Sequence, residues 1–182
     1  MPAMSEQKDS RCRFRLSNID ENLVRHETGY DVFEPTVSLE VNGKNVFEAL
    51  GISGVENPVI MTSLEMFLKE TLRLVERVTD EPTSEHRYWF LGTGFGLKLR
   101  RDATNLALFL EVDGRWGPTQ GLPNQQSKEA GKVAPKDWVQ AVVELAGDLL
   151  DIFKQLNPRI YSTIRMDLPI QQLTEWLAAS RK

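Results

Sequence analysis

Residues 87–112 contain three consecutive segments with the periodicity of β-strands, and the connections between them are short. Residues 87–91 are almost entirely apolar, and in the second segment Leu97 and Leu99 alternate with Lys98 and Arg100. In the third segment, apolar residues recur at every second position, namely Leu106, Leu108, Leu110 and Val112. Strands that follow one another through short turns run antiparallel, because parallel neighbours need a long crossover connection. The sequence therefore predicts a three-stranded antiparallel meander.

Three glycines alternate with other residues in the stretch LGTGFGL, at positions 92, 94 and 96. A phosphate-binding loop places such glycines between a strand and the start of a helix, where backbone N–H groups converge on the anion. Here the glycines are followed by residues with strand period, and no Gly-Lys-Ser/Thr ending follows. We therefore expect the glycines to shape the sheet, and we predict no cofactor.

A hairpin is predicted earlier in the chain. Val37, Leu39 and Val41 alternate with polar residues and lead into Asn42-Gly43, a pair typical of tight hairpin turns. Residues 11–16 form another alternating segment, with apolar side chains on one face and a row of arginines on the other, namely Arg11, Arg13 and Arg15. We expect this basic row to pair with Glu40 and other carboxylates across the sheet.

Two amphipathic helices are predicted from residues that recur at helical spacing. The first follows a capping box formed by Thr62 and Glu65. The second begins at Pro135, which suits the first turn of a helix, and it ends before Asn157-Pro158. A short third helix is expected over residues 169–179. Residues 114–134, which are rich in Gly, Pro and Gln, are predicted to be the longest loop.

The order of these segments defines the expected fold class. Strands followed by a helix, then strands and a second helix, predict an α+β protein with a mainly antiparallel sheet of about five to six strands. The hairpin and the meander would supply most of the strands, and the two amphipathic helices would pack on one face. A length of 182 residues fits a single domain over residues 11–182, preceded by a disordered tail over residues 1–10.

The composition of the chain indicates which kinds of partner are expected and in which cellular compartment the protein works. The formal net charge of −4 argues against nucleic acid as the main partner, because proteins that grip its backbone carry a basic excess. Cys12 is the one cysteine, which fits a reducing compartment. The N-terminal residues have no apolar signal region, and no stretch is long and apolar enough to span a membrane. We expect a cytoplasmic protein that has no membrane partner.

The sequence offers few residues for catalysis, and none is assigned as catalytic. The two histidines, His26 and His86, form no metal-binding motif, and Cys12 is expected to be buried and inert. Glu111 and Asp113 are the candidate metal ligands, since residues two apart at a strand end can point the same way. They leave open an alternative function as a metal-dependent hydrolase or nuclease.

Two features favour a binding function. Three carboxylates, which we call the acidic stripe, recur at i, i+4 and i+7 on the second amphipathic helix, namely Glu144, Asp148 and Asp151. An acidic surface of this kind suits docking of a protein with a basic surface. Arg115 and Trp116, in the predicted loop, are residue types enriched at binding hot spots. These five residues are the predicted partner-binding residues.

The leading hypothesis from the sequence is a non-catalytic protein-binding module. In size and general build the chain resembles small bacterial cytosolic proteins, some of which neutralise toxins by stoichiometric binding. The hypothesis therefore includes an immunity or inhibitor protein. A small-molecule sensor, with a pocket between sheet and helices near Trp89 and Trp138, is the third possibility.

Overall fold

The structure, a computed structural model, describes residues 12–17, 19–26, 36–46, 64–76, 85–90, 95–101, 104–113, 115, 125–164 and 167–180. The strands in these segments are β1 (Cys12–Ser17), β2 (Thr36–Val41), β3 (Lys44–Asn45), β4 (Glu85–Phe90), β5 (Phe95–Arg101), β6 (Leu106–Val112) and β7 (Gln125–Val133). The helices are α1 (Glu21–His26), α2 (Leu64–Glu76), α3 (Pro135–Leu156), α4 (Pro158–Tyr161) and α5 (Asp167–Ala179).

The strands form two antiparallel sheets. One sheet has the order β1-β2-β3, and the other has the order β4-β5-β6-β7. Every neighbouring pair of strands is antiparallel. The α+β class, the hairpin and the meander are therefore confirmed. The predicted single sheet of about five to six strands is corrected, because the described strands form two sheets, with the hairpin in the three-stranded one and the meander in the four-stranded one.

That fourth strand, β7, corrects the prediction of a loop over residues 114–134. Residues 125–133 are a strand that pairs with β6 from Leu106↔Val133 to Val112↔Gln125. The register shifts twice along the ladder, between Leu108 and Phe109 and between Leu110 and Val112, and such irregularities interrupt the pairing locally and bend the strand. The sequence QQSKEAGKV has no hydrophobic alternation, so its strand character comes from pairing with β6.

The hairpin turn has the predicted geometry. Asn42 and Gly43 both have positive φ angles, 53° and 76°, as a tight two-residue turn requires. Val41 pairs with Lys44 directly across the turn. Beyond the short strand β3, the backbone N–H of Val46 donates to the carbonyl oxygen of Leu39 over 3.0 Å, so the hairpin ladder continues past the turn.

Gly131 brings the two sheets together. A Cβ atom at this position would lie 2.6 Å from Cγ1 of Val41 on β2, and the φ of Gly131 is +154°. The side-chain amide of Asn42 also reaches the carbonyl oxygen of Lys132, over 3.5 Å. β7 therefore passes β2 more closely than a residue with a Cβ atom would allow, and the two sheets are in contact at this point.

The core joins both sheets to the helices. Trp138 on α3 is fully buried, and its ring lies edge-on to Phe14 of β1 at 5.4 Å and to Phe67 of α2 at 6.1 Å between ring centroids. Such edge-to-face pairs add to the free energy gained from burial.

α3 spans the residues predicted for it, from Pro135 to Leu156. Asn157 follows as the cap of α4, accepting from the Ile160 N–H, and its side-chain amide donates to the carbonyl of Val24 on α1.

The predicted meander is confirmed as β4, β5 and β6. Gly96 lies within β5 and stands opposite Trp89 on one side and Glu111 on the other. Leu97 and Leu99 face the core, as predicted. Phe95–Arg101 is a strand, so the chain from Phe95 onward does not begin a helix that could cradle phosphate. Gly92 and Gly94 lie outside the described residues.

Candidate functional site

A groove of about 480 Å³ runs between β1 and α3. We call it the β1–α3 groove. Its strand side is formed by Arg13, Phe14, Arg15 and Leu16, and its helix side by Asp148, Asp151, Ile152 and Gln155. Successive residues of a strand point to opposite faces, so a groove lined by four consecutive residues of β1 must run along the edge of that strand. β1 is the terminal strand in the order β1-β2-β3.

The backbone pattern of the hairpin shows which groups of β1 point into the groove. The bond from Val46 N–H to the Leu39 carbonyl directs the backbone of Leu39 toward β3. Because the direction alternates along an antiparallel strand, the neighbouring residues Ser38 and Glu40 bond to β1, where their partners are Arg15 and Arg13. The backbone N–H and C=O of Phe14 and Leu16 therefore point away from β2, along the open edge.

The helical wall of the groove carries two of the three carboxylates of the acidic stripe. One side of α3 is buried against the core and includes Trp138, Val142 and Leu145. The opposite side of the helix therefore faces solvent. Asp148 and Asp151 line the groove, and Glu144 lies one turn before Asp148. Lys154 adjoins Asp151 on the side of the helix away from Asp148.

The carboxylates of the acidic stripe repel one another. The pKa of the Asp148 carboxyl is raised above its ordinary value, first by partial burial and then by the negative charges of Glu144 and Asp151. Arg13 acts on the same carboxyl in the opposite direction. The Arg15 guanidinium lies 2.8 Å from a Glu40 carboxylate oxygen, so the pairing predicted for the basic row is confirmed there. Of the two arginines that line the groove, Arg13 is therefore the one whose positive charge acts on the acidic stripe.

The other predicted partner-binding residues lie elsewhere. Arg115 is exposed and forms a bidentate ion pair with Asp113, whose nearest oxygen is 2.7 Å from Nη2. These hydrogen bonds lower the pKa of Asp113 to about 2. The described contacts of Arg115 are thus local, and they do not connect it to the acidic stripe. Trp116 lies outside the described residues.

The candidate metal ligands each lie beside an arginine. Glu111 is buried on β6, with Arg87 of β4 at 3.7 Å, and Asp113 is bonded to Arg115. In the part of the chain that the structure describes, no group of three His, Cys, Asp or Glu side chains could hold a metal ion. Within the described segments, Glu111 and Asp113 therefore have no third side chain beside them that could complete a metal site.

Cys12 and Trp138 are both buried in the core. Cys12 is fully buried, and burial, followed by the charge of Asp137, raises the pKa of its thiol to about 12, so it holds no thiolate at neutral pH. Trp138, near which a sensor pocket was predicted, is packed between Phe14 and Phe67. The side chain of Trp89 lies outside the described residues.

Sequence patterns indicated part of this groove. The acidic stripe and the arginine row were both visible as local patterns, but nothing in the sequence says that Asp148 and Arg13 face each other. The contributions of Ile152 and Gln155 were missed, since on the helix they read as an edge of the apolar face and a surface polar residue. Ile152 lies four residues after Asp148, and Gln155 lies four residues after Asp151, so each is a neighbour of an acidic residue on the helix surface. That spacing is the sequence signal that could have indicated them.

The fold and the groove together describe an α+β protein with a charged groove along an open strand edge. Comparisons with protein-family models, curated proteins and solved structures gave no significant match. Among the described helices, none has the length and apolar content needed to cross a membrane.

Proposed function

We propose that the chain is a non-catalytic protein-binding module, and that the β1–α3 groove with its acidic stripe is the binding surface. The observation that carries this proposal is the position of Asp148 and Asp151 beside an open strand edge. Two carboxylates line the groove beside one arginine that is not bonded to Glu40, because Arg15 forms that ion pair. The pKa of Asp148 is raised by partial burial and by the charges of Glu144 and Asp151, and a basic group from a partner would offset both effects.

The narrowest form of this proposal is an immunity or inhibitor protein of the cytoplasm. Such a protein acts by forming a stoichiometric complex that covers the working surface of a toxin or enzyme. Acidic inhibitors gain association rate and selectivity against basic partners, because complementary charges steer the encounter and penalise wrong pairings. The acidic stripe is suited to this task, and it needs no catalytic group.

The alternative as a metal-dependent hydrolase or nuclease gains no observation in its favour from the described residues. Glu111 and Asp113 face arginines, and those segments supply no third ligand. A metal nuclease would also need an electropositive path for the nucleic-acid backbone, whereas the helical wall of the β1–α3 groove carries Asp148 and Asp151.

The test is capture of a partner from the organism that encodes the chain. Immobilised full-length protein is compared with the double variant Asp148→Asn/Asp151→Asn, which keeps the shape of both side chains and removes their charge. The matched control is Glu129→Gln/Glu175→Gln, which removes the same charge from exposed positions on β7 and α5. Mass spectrometry identifies the retained proteins, and light scattering gives their stoichiometry.

We expect one basic protein partner in a defined stoichiometric complex. The wild-type chain and the Glu129/Glu175 control should retain it equally, and the Asp148/Asp151 variant should lose most of it. A wild-type chain that retains no stoichiometric partner, or a partner held equally by all three forms, would overturn the proposal.

A further inference from the structure

The edge of β1 away from β2 presents backbone hydrogen-bonding groups that no described strand uses. Arg13 and Arg15 direct theirs to β2, whereas Phe14 and Leu16 direct theirs into the β1–α3 groove. Among the described strands, none pairs with this edge. An edge of this kind is a template for one more strand, because an extended chain can bond to every second residue.

The groove is also shaped for an extended chain. Phe14 and Leu16 are two residues apart, which is the repeat at which an added strand places its own bonding groups. On the added strand, side chains alternate between the α3 wall and the opposite, outward side. Those that face α3 would meet Asp148 and Asp151, and those that face outward would lie beside Arg13 and Arg15.

We propose, on the basis of the function proposed above, that the partner binds by strand addition. An extended segment of the partner pairs with the β1 edge through Phe14 and Leu16, and it places a lysine or arginine against Asp148 and Asp151. The residues next to this basic side chain are acidic or neutral, because they lie opposite Arg13 and Arg15. The occupant is thus an extended protein segment in which a basic residue alternates with uncharged or acidic ones.

A second copy of the chain fits this edge poorly in two antiparallel registers. If two β1 strands paired antiparallel about Phe14, Arg13 of one copy would stand opposite Arg15 of the other. If they paired about Arg15, that residue would stand opposite itself. Like charges directly opposite each other destabilise an antiparallel pair, so the charge pattern disfavours these two registers of a β1–β1 pair.

The first experiment selects the segment. A displayed library of random linear peptides of roughly ten residues, about twice the usual strand length, is selected against the immobilised full-length protein. The affinities of the enriched peptides, made synthetically, are measured by fluorescence polarisation. We expect peptides with an alternating basic residue, bound about tenfold more weakly by Asp148→Asn/Asp151→Asn than by the wild type. The control Glu129→Gln/Glu175→Gln should bind like the wild type.

The second experiment tests the strand geometry on the peptide itself, so it does not depend on the folding of a variant. Each backbone nitrogen of the peptide is methylated in turn, which removes one hydrogen-bond donor at a time. Strand addition predicts losses of about tenfold at every second position, with the intervening positions tolerant. Tolerance at every position, or a repeat of three to four residues, would overturn strand addition.

The third experiment tests the edge of β1. Leu16→Pro removes the N–H that points into the groove and leaves the ladder to β2 in place, since proline is accepted where the N–H of an edge strand is unbonded. Leu16→Ala is the matched control, because it loses the side chain and keeps the N–H. We expect the proline variant to bind the peptide about tenfold more weakly than the alanine variant. Equal binding by the two variants would overturn the role of this edge.

The outcomes separate the two proposals. If the library yields no peptide, or only peptides insensitive to Asp148→Asn/Asp151→Asn, the proposed function at this groove fails. If peptides depend on both aspartates but tolerate methylation throughout, the binding function stands and strand addition fails. If sedimentation shows a dimer that Leu16→Pro dissociates, the edge is occupied by a second copy, and the proposed partner is wrong.

Discussion

Gly131 lies where β7 of one sheet passes β2 of the other, and its replacement by alanine tests how closely the sheets are joined. A Cβ atom at this position would lie 2.6 Å from Cγ1 of Val41, closer than carbon atoms can pack. The φ of +154° is also one that residues other than glycine rarely adopt. Gly131→Ala therefore introduces a steric clash and backbone strain together.

The magnitude follows from these two effects. Backbone strain of this kind costs about 1–3 kcal/mol, and an extra methyl group in a packed interior costs about 1–3 kcal/mol. Together they would reduce the free energy of unfolding by roughly 2–6 kcal/mol, out of the ~5–15 kcal/mol typical of a folded protein. In a chain of this length, that corresponds to a Tm lower by about 4–24 °C.

The assay is denaturant unfolding followed by circular dichroism, with Gly147→Ala as the matched control. Nothing lies within 4 Å of a Cβ added at Gly147 on α3, so alanine should stabilise the protein there by about 0.5–1 kcal/mol. In Val41→Ala/Gly131→Ala the clash is relieved, and the two losses should be less than additive. An unchanged free energy of unfolding for Gly131→Ala, or fully additive losses, would refute the close approach of β7 to β2.

Three further predictions concern single side chains. Asp148→Asn should raise the Tm at pH 7, because the pKa of Asp148 is raised above 3.8 by burial and by Glu144 and Asp151. A carboxyl whose pKa is raised by folding destabilises the folded state when it is ionised, and this destabilisation disappears once the carboxyl is protonated at low pH. The Tm difference between Asp148→Asn and the wild type should therefore vanish at about pH 3. A Tm difference that is independent of pH would contradict this. Thr71→Val should leave the Tm unchanged or raise it by about 2–4 °C, since the buried Oγ1 of Thr71 has no hydrogen-bond partner among the described residues; a clear fall would show that the hydroxyl is bonded. Cys12 should react with iodoacetamide only after unfolding, because burial raises the pKa of its thiol to about 12; rapid labelling of the folded protein would count against its position.

The elements that could be predicted from the sequence are those whose signal is local. Asn42-Gly43 requires positive φ angles at two adjacent residues, and both are observed. Pro135 and Asn157 mark the two ends of α3, as the structure has them. In each case the deciding interactions lie within a few residues of the chain, so a pattern of neighbouring side chains was sufficient.

The elements that could not be predicted depend on distant pairing. β7 lacks hydrophobic alternation and becomes a strand through its ladder with β6. The β1–α3 groove depends on two facts that no local pattern contains. β1 occupies a sheet edge, and α3, more than a hundred residues later, packs against it. The arginine row and the acidic stripe were therefore visible separately, and their meeting was not.

The most direct test of the open β1 edge is amide hydrogen exchange of the free protein, measured residue by residue by NMR. The amides of Arg13 and Arg15 bond to β2 and should exchange slowly, whereas those of Phe14 and Leu16 face the groove and should exchange much faster. An alternation of slow and fast amides along β1 is the predicted result. Equal and strong protection of all four amides would mean that the edge is already paired, and the proposed binding surface would not exist.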